Sequence, residues 1–225
     1  MSLVEVLNRA SREYSSGQRQ QIKMQAGLTP QEVRGFESRL PGKLPGEIQD
    51  LLAFASGFEN NAVGLVDFLG RHPFEFTDAF PYGLPIAGDG DGNFWVQDVR
   101  EDTGLWDKVF FVSHDPPVVA VQAHSLEEFL SQILDFGKSP NDDPLLRVKK
   151  DAVDRIWTND PDLIPFEVAL SSEDNELSQC AKQLEDGFRI ADLRFAKLGS
   201  GFSLRGLKTI VRRCGPPAIF AVKSL

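Results

Sequence analysis

The run GDGDGNF at residues 88–94 packs glycines, aspartates and an asparagine into seven positions, a composition shared by calcium loops and phosphate cradles. As a calcium loop, Asp89, Asp91 and Asn93 fit a D-x-D-x-N start. The next position, however, is Phe94 where the sharp turn needs glycine, and the twelfth is Arg100 where a bidentate glutamate belongs. As a phosphate cradle it has the glycines, but no Lys-Ser/Thr follows, and Asp89 and Asp91 would repel phosphate. What remains is a tight turn, with Gly88, Gly90 and Gly92 available for positive φ.

Other reactive side chains are scattered. His72, His114 and His124 have no H-x-x-x-H or H-E-x-x-H spacing, so no zinc site is written locally. Ser113-His114-Asp115 has the letters of a triad, but adjacent residues on an extended chain point to opposite faces. Cys180 and Cys214 are too few for a disulfide framework and are not spaced as a redox or zinc pair, so both are expected to be buried thiols. No G-x-S-x-G elbow is present. A carboxylate pair of the glycosidase kind is defined only in three dimensions, and its mark would be raised carboxyl pKa values in one cleft. No catalytic residue, metal ligand or cofactor is assigned.

The segment WVQDVREDTGLWD, residues 95–107, carries a different chemistry. Trp95 and Trp106 stand beside Asp98, Glu101, Asp102 and Asp107, in and around a hairpin connection. Aromatic anchors ringed by acids are the ingredients of a protein-binding hot spot, with tryptophan supplying buried area and the carboxylates steering a basic partner. The competing reading puts both tryptophans in the core of paired strands, and an acidic rim on a core hairpin satisfies both.

The elements that must position this hairpin are signed in the sequence. Thr29, Pro30 and Glu32 form a T-x-x-E capping box with proline at the first helical position. Val33, Phe36 and Leu40 then share a face until Pro41-Gly42. A second helix starts at Pro45, after Leu44, spaces Ile48, Leu51, Leu52 and Ala55 at helical intervals, and is expected to stop at a left-handed Gly57. Residues 60–88 suit short strands and turns. Strands follow near 93–99, 108–113 and 117–123, and then a helix capped by Ser125 and Glu128 and closed by Gly137. Helices, meander and helix make an α+β order with a largely antiparallel sheet.

Over residues 28–137 this order resembles the SMI1/KNR4 family of the SUKH superfamily. There a T-x-x-E helix is followed by L-P, a helix ending in Asn/Ser-Gly, and a Gly/Asp turn entering an aromatic strand. The corresponding residues here are Thr29 to Glu32, Leu44-Pro45, Ser56-Gly57, and Gly88, Asp89, Gly90, Asp91 and Gly92 leading to Trp95. The resemblance implies a twisted, mainly antiparallel sheet packed against helices and used to bind proteins. In bacteria it implies an immunity protein that neutralises a toxin, often a nuclease; in fungi, a regulatory or scaffold protein of cell-wall signalling.

Beyond the linker-like KSPNDDP at 138–144, residues 141–225 read as a small α/β unit of no recognised family, set against a first domain of residues 1–140. Its expected elements are a helix over DPLLRVKKDAVDRIW, a strand over IPFEVAL, a helix over NELSQCAKQLEDG, a strand over FRIADLRFAKL, a helix over GSGFSLRGLKTIVRRCG and a last strand over PPAIFAVKSL. Charge divides the same way: residues 1–140 hold 11 Lys+Arg against 20 Asp+Glu, while residues 141–225 hold 13 against 13. An acidic domain is a poor nucleic-acid binder and a good match for a basic protein, including a basic toxin. Lys149-Lys150 and Arg212-Arg213, expected on C-terminal helices, are placed to dock against the acidic part within a chain or between chains, the latter giving self-association. No stretch approaches the roughly 20 apolar residues of a membrane span, and the first residues lack a signal-like apolar core. The expected location is the cytoplasm.

Overall fold

The computed structural model describes residues 2–15, 22–138, 143–159, 162–205, 208–215 and 218–224. The centre of the linker-like segment at 138–144 lies outside the described residues.

Every strand of the large sheet runs antiparallel to its neighbours. Its order is β1 (Lys23–Met24), β2 (Gly57–Asn60), β3 (Gly64–Asp67), β4 (Leu84–Gly88), β5 (Phe94–Val99), β6 (Trp106–His114), β7 (Pro117–Ala123) and β10 (Gly201–Ser203). The last member comes from the C-terminal part, where Phe202 pairs with Val119. A second antiparallel sheet runs β11 (Thr209–Arg213), β12 (Ile219–Ser224), β9 (Arg189–Asp192), β8 (Leu163–Pro165).

Period-2 alternation along β5 and β6 sorts side chains onto two buried faces. Trp95, Val99, Val109 and Phe111 face a core filled by α1 (Leu3–Ser15), α3 (Gly46–Phe54), α4 (Leu126–Asp135) and the helical run of α5 (Pro144–Arg147), a π-helical turn (Val148–Ala152) and α6 (Val153–Asn159). Val96, Phe110 and Val112 face the second sheet, meeting Ala191, Val211, Phe220 and Val222. The outer side of that sheet carries α7 (Phe166–Leu170) and α8 (Asn175–Lys182) over Ile190 and Ile219. The result is helices, sheet, sheet, helices, the mixed α+β class expected, with strands burying both faces as only an inner layer does.

Local signals explain most boundaries. In α2 (Pro30–Glu37), Thr29 Oγ1 accepts from Glu32 N–H and the Glu32 carboxylate accepts from Thr29 N–H at 2.8 Å, completing the capping box. The Glu37 carboxylate then accepts from Leu44 N–H at 2.9 Å, folding the chain over to α3, whose N-cap is Pro45. Ser125 caps α4 as expected, and Gly137 follows with φ +77°.

Four expectations are corrected. Helix α3 ends at Phe54, and Gly57 is the first residue of β2 instead of a left-handed cap. A Cβ on Gly57 would lie 2.2 Å from Val66 O, so the glycine is required by close approach of two strands. The IPFEVAL strand stops at Pro165, which lacks an N–H for the ladder and instead precedes α7. The expected last helix over GSGFSLRGLKTIVRRCG is two strands, β10 and β11. Gly201 packs so tightly on β7 that a Cβ would sit 1.9 Å from Val119 O, and Thr209-Ile210-Val211 is a β-branched run. Arg212-Arg213 therefore lies on a strand. Finally, Cys180 and Cys214 are joined in a disulfide, with Cα atoms 5.2 Å apart, and are not free thiols.

Candidate functional site

The turn before β5 is held by Asp89. Its carboxylate accepts from Asp91 N–H at 2.9 Å and from Asn93 Nδ2 at 2.7 Å, while Gly90 and Gly92 take φ of +84° and +86°. Asn93 Oδ1 in turn accepts from His114 N–H at 2.8 Å, tying the turn to the end of β6. The outer oxygen of Asp89 receives Lys149 Nζ at 2.6 Å. Burial, the largest single influence on Asp89, pushes its pKa upward, but the bonds from Asn93, Lys149 and the Asp91 amide outweigh it and hold the carboxyl below its usual range. The acidic turn is thus a docking point for the C-terminal helical run.

A second docking point lies at the other end of β5. Asp98 projects toward the second sheet and meets Arg213 at 2.5 Å, with side-chain exposures of 3% and 9%. The Arg213 guanidinium also lies 4.6 Å from the centroid of Phe220, and its backbone N–H donates to Asp78 O. Burial raises the Asp98 pKa, and Arg213 opposes the rise. Asp98 is the carboxyl with the environment expected of an enzyme's acid. Yet the crevice beside it, lined by Tyr82, Glu101, Arg213 and Gly215, has a volume of about 10 Å³, room for one water and no metabolite.

Between Asp98 and Trp106 the chain leaves the sheet. Gln97 Nε2 donates to Asp98 O and Asp107 O, both at 2.9 Å, and fixes a bulge in which Asp107 and Lys108 stand opposite Asp98. The hairpin tip beyond it is braced by Gly104 against Gly42, where backbone meets backbone. Arg100 forms a two-pronged pair with Asp102, at 3.0 and 2.7 Å. That pair draws the Asp102 carboxyl below its usual range and raises Arg100, to which the charges of Asp107 and Glu176 add. Glu176, at the start of α8, shares Arg194 with Asp174 and Asp192.

The six residues expected to form one binding surface are therefore divided by the sheet. Trp95 is core: it is 2% exposed, stacks near Phe111 and Phe129 at 5.1 and 6.2 Å, and donates Nε1–H to Gln122 Oε1 at 3.0 Å. Asp98 is enclosed with Arg213. Glu101 and Asp102 are exposed at the hairpin tip, and Trp106 and Asp107 are half-buried at its base. Leu105, 49% exposed between them, was not singled out by the sequence pattern, because a lone leucine in a polar turn carries no periodic signal. The basic runs did signal their function: Lys149 and Arg213 both meet acids of the first part within the chain.

Among the described residues no group of three or more His, Cys, Asp or Glu is placed to hold a metal ion, and no helix is long and apolar enough to cross a membrane. No curated protein matches the chain. The sequence profile of the SMI1 / KNR4 family (SUKH-1) matches residues 27–132, from the lead-in of α2 to the penultimate turn of α4. That span contains the capping box, both short helices, the acidic turn and the whole hairpin, and over it the chain is similar to the SMI1 / KNR4 family (SUKH-1).

Proposed function

We propose that this is a non-enzymatic protein-binding module that acts as an immunity protein, capturing a basic toxin with the hairpin tip between β5 and β6. The observation that carries the proposal is the composition of that tip: Glu101, Asp102 and Asp107 share a braced loop with an exposed Leu105 and a half-buried Trp106, Asp102 pairing with Arg100, Asp107 lying 3.5 Å from Lys108, and Glu101 exposed. An apolar anchor within a carboxylate rim matches the face a nuclease must present to nucleic acid, and the acids accelerate encounter. The similarity of residues 27–132 to a family known for protein–protein interaction supports the class of function. A cytoplasmic site of action belongs to the same reading. It requires the Cys180–Cys214 bridge to form where thiols are ordinarily kept reduced.

The test uses the tagged full-length chain as bait in its native cells at low salt. One basic protein should be recovered, its capture should fall steeply with salt, and Glu101→Lys with Asp102→Lys should slow its association while leaving dissociation nearly unchanged. An unchanged association rate at low salt removes the hairpin from the interface.

A regulatory or scaffold role is favoured by a separate observation. Val168, Leu170 and Phe195, on the C-terminal part, are 57%, 40% and 90% exposed, more apolar surface than a layer without a partner needs to show. Capture of regulatory proteins that depends on Phe195 and not on Glu101 would select that reading.

A further inference from the structure

We propose that the cavity between the Phe74–Phe76 loop and the rim of the large sheet binds the guanidinium of an arginine presented by a partner protein. The cavity, about 350 Å³, opens where the second sheet stops covering the first, and falls within the size range of small-ligand sites. Phe74, Phe76 and Phe94 line one side, with Phe74 centred 5.6 Å from Phe94 and 6.5 Å from Phe76; Leu204 and the end of β6 close the other. All three rings are only partly buried, so aromatic surface remains for an occupant.

Charge selects the occupant. Glu75 lines the cavity between two of the rings, and no lysine or arginine does. Asp91 and Asp115 stand exposed on the turns next to the lining residues Gly92 and His114. Lys149 is consumed by Asp89, and Arg205, next to the lining residue Leu204, has its guanidinium 4.9 Å from the Trp157 ring. Among the described residues Glu75, Asp91 and Asp115 have no ion-pair partner, in contrast to Asp89, Asp98 and Asp102. A neutral apolar occupant would fill the space and leave this field unused. A guanidinium is planar, weakly hydrated, stacks on phenylalanine and pairs with a carboxylate at its edge, so it satisfies both walls together. The frame is stiff: Gly92 lies against His114, where a Cβ would be 3.5 Å from the ring's first carbon, and Asn93 holds the His114 backbone. This site is separate from the hairpin tip, at the opposite end of β5 and about 17 Å away for a six-residue strand.

The test titrates N-acetyl-arginine amide into the full-length chain, followed by amide NMR. Its neutral isostere N-acetyl-citrulline amide and the apolar N-acetyl-norleucine amide serve as competitors. Saturable shifts are expected at residues 74–76, 92–94 and 114, with the citrulline compound weaker by about fivefold, the range of a partly exposed cation–π contact. Glu75→Gln, an exposed change that leaves the core alone, should weaken the arginine compound and not the citrulline one; Phe74→Ala should weaken both. Equal or tighter binding of the citrulline or norleucine compound overturns the cationic assignment. Absence of saturable shifts, or their loss in the Glu101→Lys, Asp102→Lys variant, overturns the site.

Discussion

Replacing Arg213 by methionine strands the Asp98 carboxylate in the space between the two sheets. The partners are 2.5 Å apart and almost wholly enclosed, so the lost attraction is that of charges about 4 Å apart at an effective dielectric near 20, about 4 kcal/mol. Breaking a buried pair from one side costs about 3–5 kcal/mol by the same logic, because the survivor keeps its desolvation penalty. The cost should depend on pH. Asp98 already has a raised pKa, and without Arg213 it rises further. The folded state then holds a proton that the unfolded state releases above pH ~4. Stability of the variant therefore increases as pH falls through the elevated value, by up to about 1.4 kcal/mol per unit, and its deficit against the parent narrows. Asp98→Asn strands an arginine that cannot shed its proton, so position 98 gives that variant no gain in stability as pH falls. Urea unfolding monitored by tryptophan fluorescence at pH 7.5 and 5.0, with m-values compared, measures both. The double variant should recover much of the sum. Single-variant costs below about 1 kcal/mol, equal at both pH values, would place the pair among solvent-screened surface bridges and refute the reasoning.

Three further outcomes are expected. Gly57→Ala pushes a methyl toward Val66 O and should destabilise by about 1–3 kcal/mol, whereas Gly35→Ala, in open space on α2, should stabilise by about 0.5–1 kcal/mol; thermal melts of both compare the sites directly. Reducing Cys180–Cys214, which spans 34 residues, should lower stability by up to about 4 kcal/mol on the chain-entropy account, and a Cys180→Ala, Cys214→Ala variant should no longer respond to reductant in denaturant melts. Asp89, Asp102 and Asp174 have lowered folded pKa values, so the stability they contribute is present above pH ~4 and lost as pH falls through those lowered values. An acid titration of Lys149→Met should show a smaller loss over that range, and an identical acid limb would deny Lys149 its part.

What could be read from sequence was whatever is decided within a few residues. The Thr29–Glu32 box, the Ser125 cap and the alternation of β5 to β7 depend on local hydrogen bonds and a period of two, and all three stand in the fold. What failed depended on a distant neighbour. Gly57 and Gly201 are glycines because another strand's carbonyl comes within reach of where a Cβ would be, and nothing beside them in sequence says so. The two cysteines, 34 positions apart, become a pair only when β11 and α8 are laid on the same sheet. For the hairpin, the residue types were legible but their exposure was not. Trp95 and Asp98 belong to strand faces that turned out to be covered on both sides, and a covered second face exists only because the C-terminal strands fold back.

That fold-back also decides which acids remain for a partner. The first 140 residues carry the whole excess of negative charge, and the C-terminal part spends two of its cations on it, Lys149 on Asp89 and Arg213 on Asp98. Both spent carboxylates lie at opposite ends of β5, each next to an exposed acidic segment: Asp91 beside the first, Glu101 and Asp102 beyond the second. Internal pairing thus immobilises the bases of two acidic surfaces, and among the described residues Asp91 and Glu101 at their tips have no ion-pair partner, while Asp102 is paired with Arg100. A rigid, desolvated base presents a carboxylate with less entropy to lose than a free loop would, which favours binding without adding a contact. If this is the purpose of the C-terminal part, Arg213→Met at a temperature where the chain stays folded should weaken capture of a basic partner through the hairpin even though Arg213 touches no partner. Restored capture on adding Asp98→Leu, which removes the stranded charge and refills the space, would separate loss of support from loss of charge; capture that never changes would mean the hairpin is stiff by its own Gln97 bulge alone.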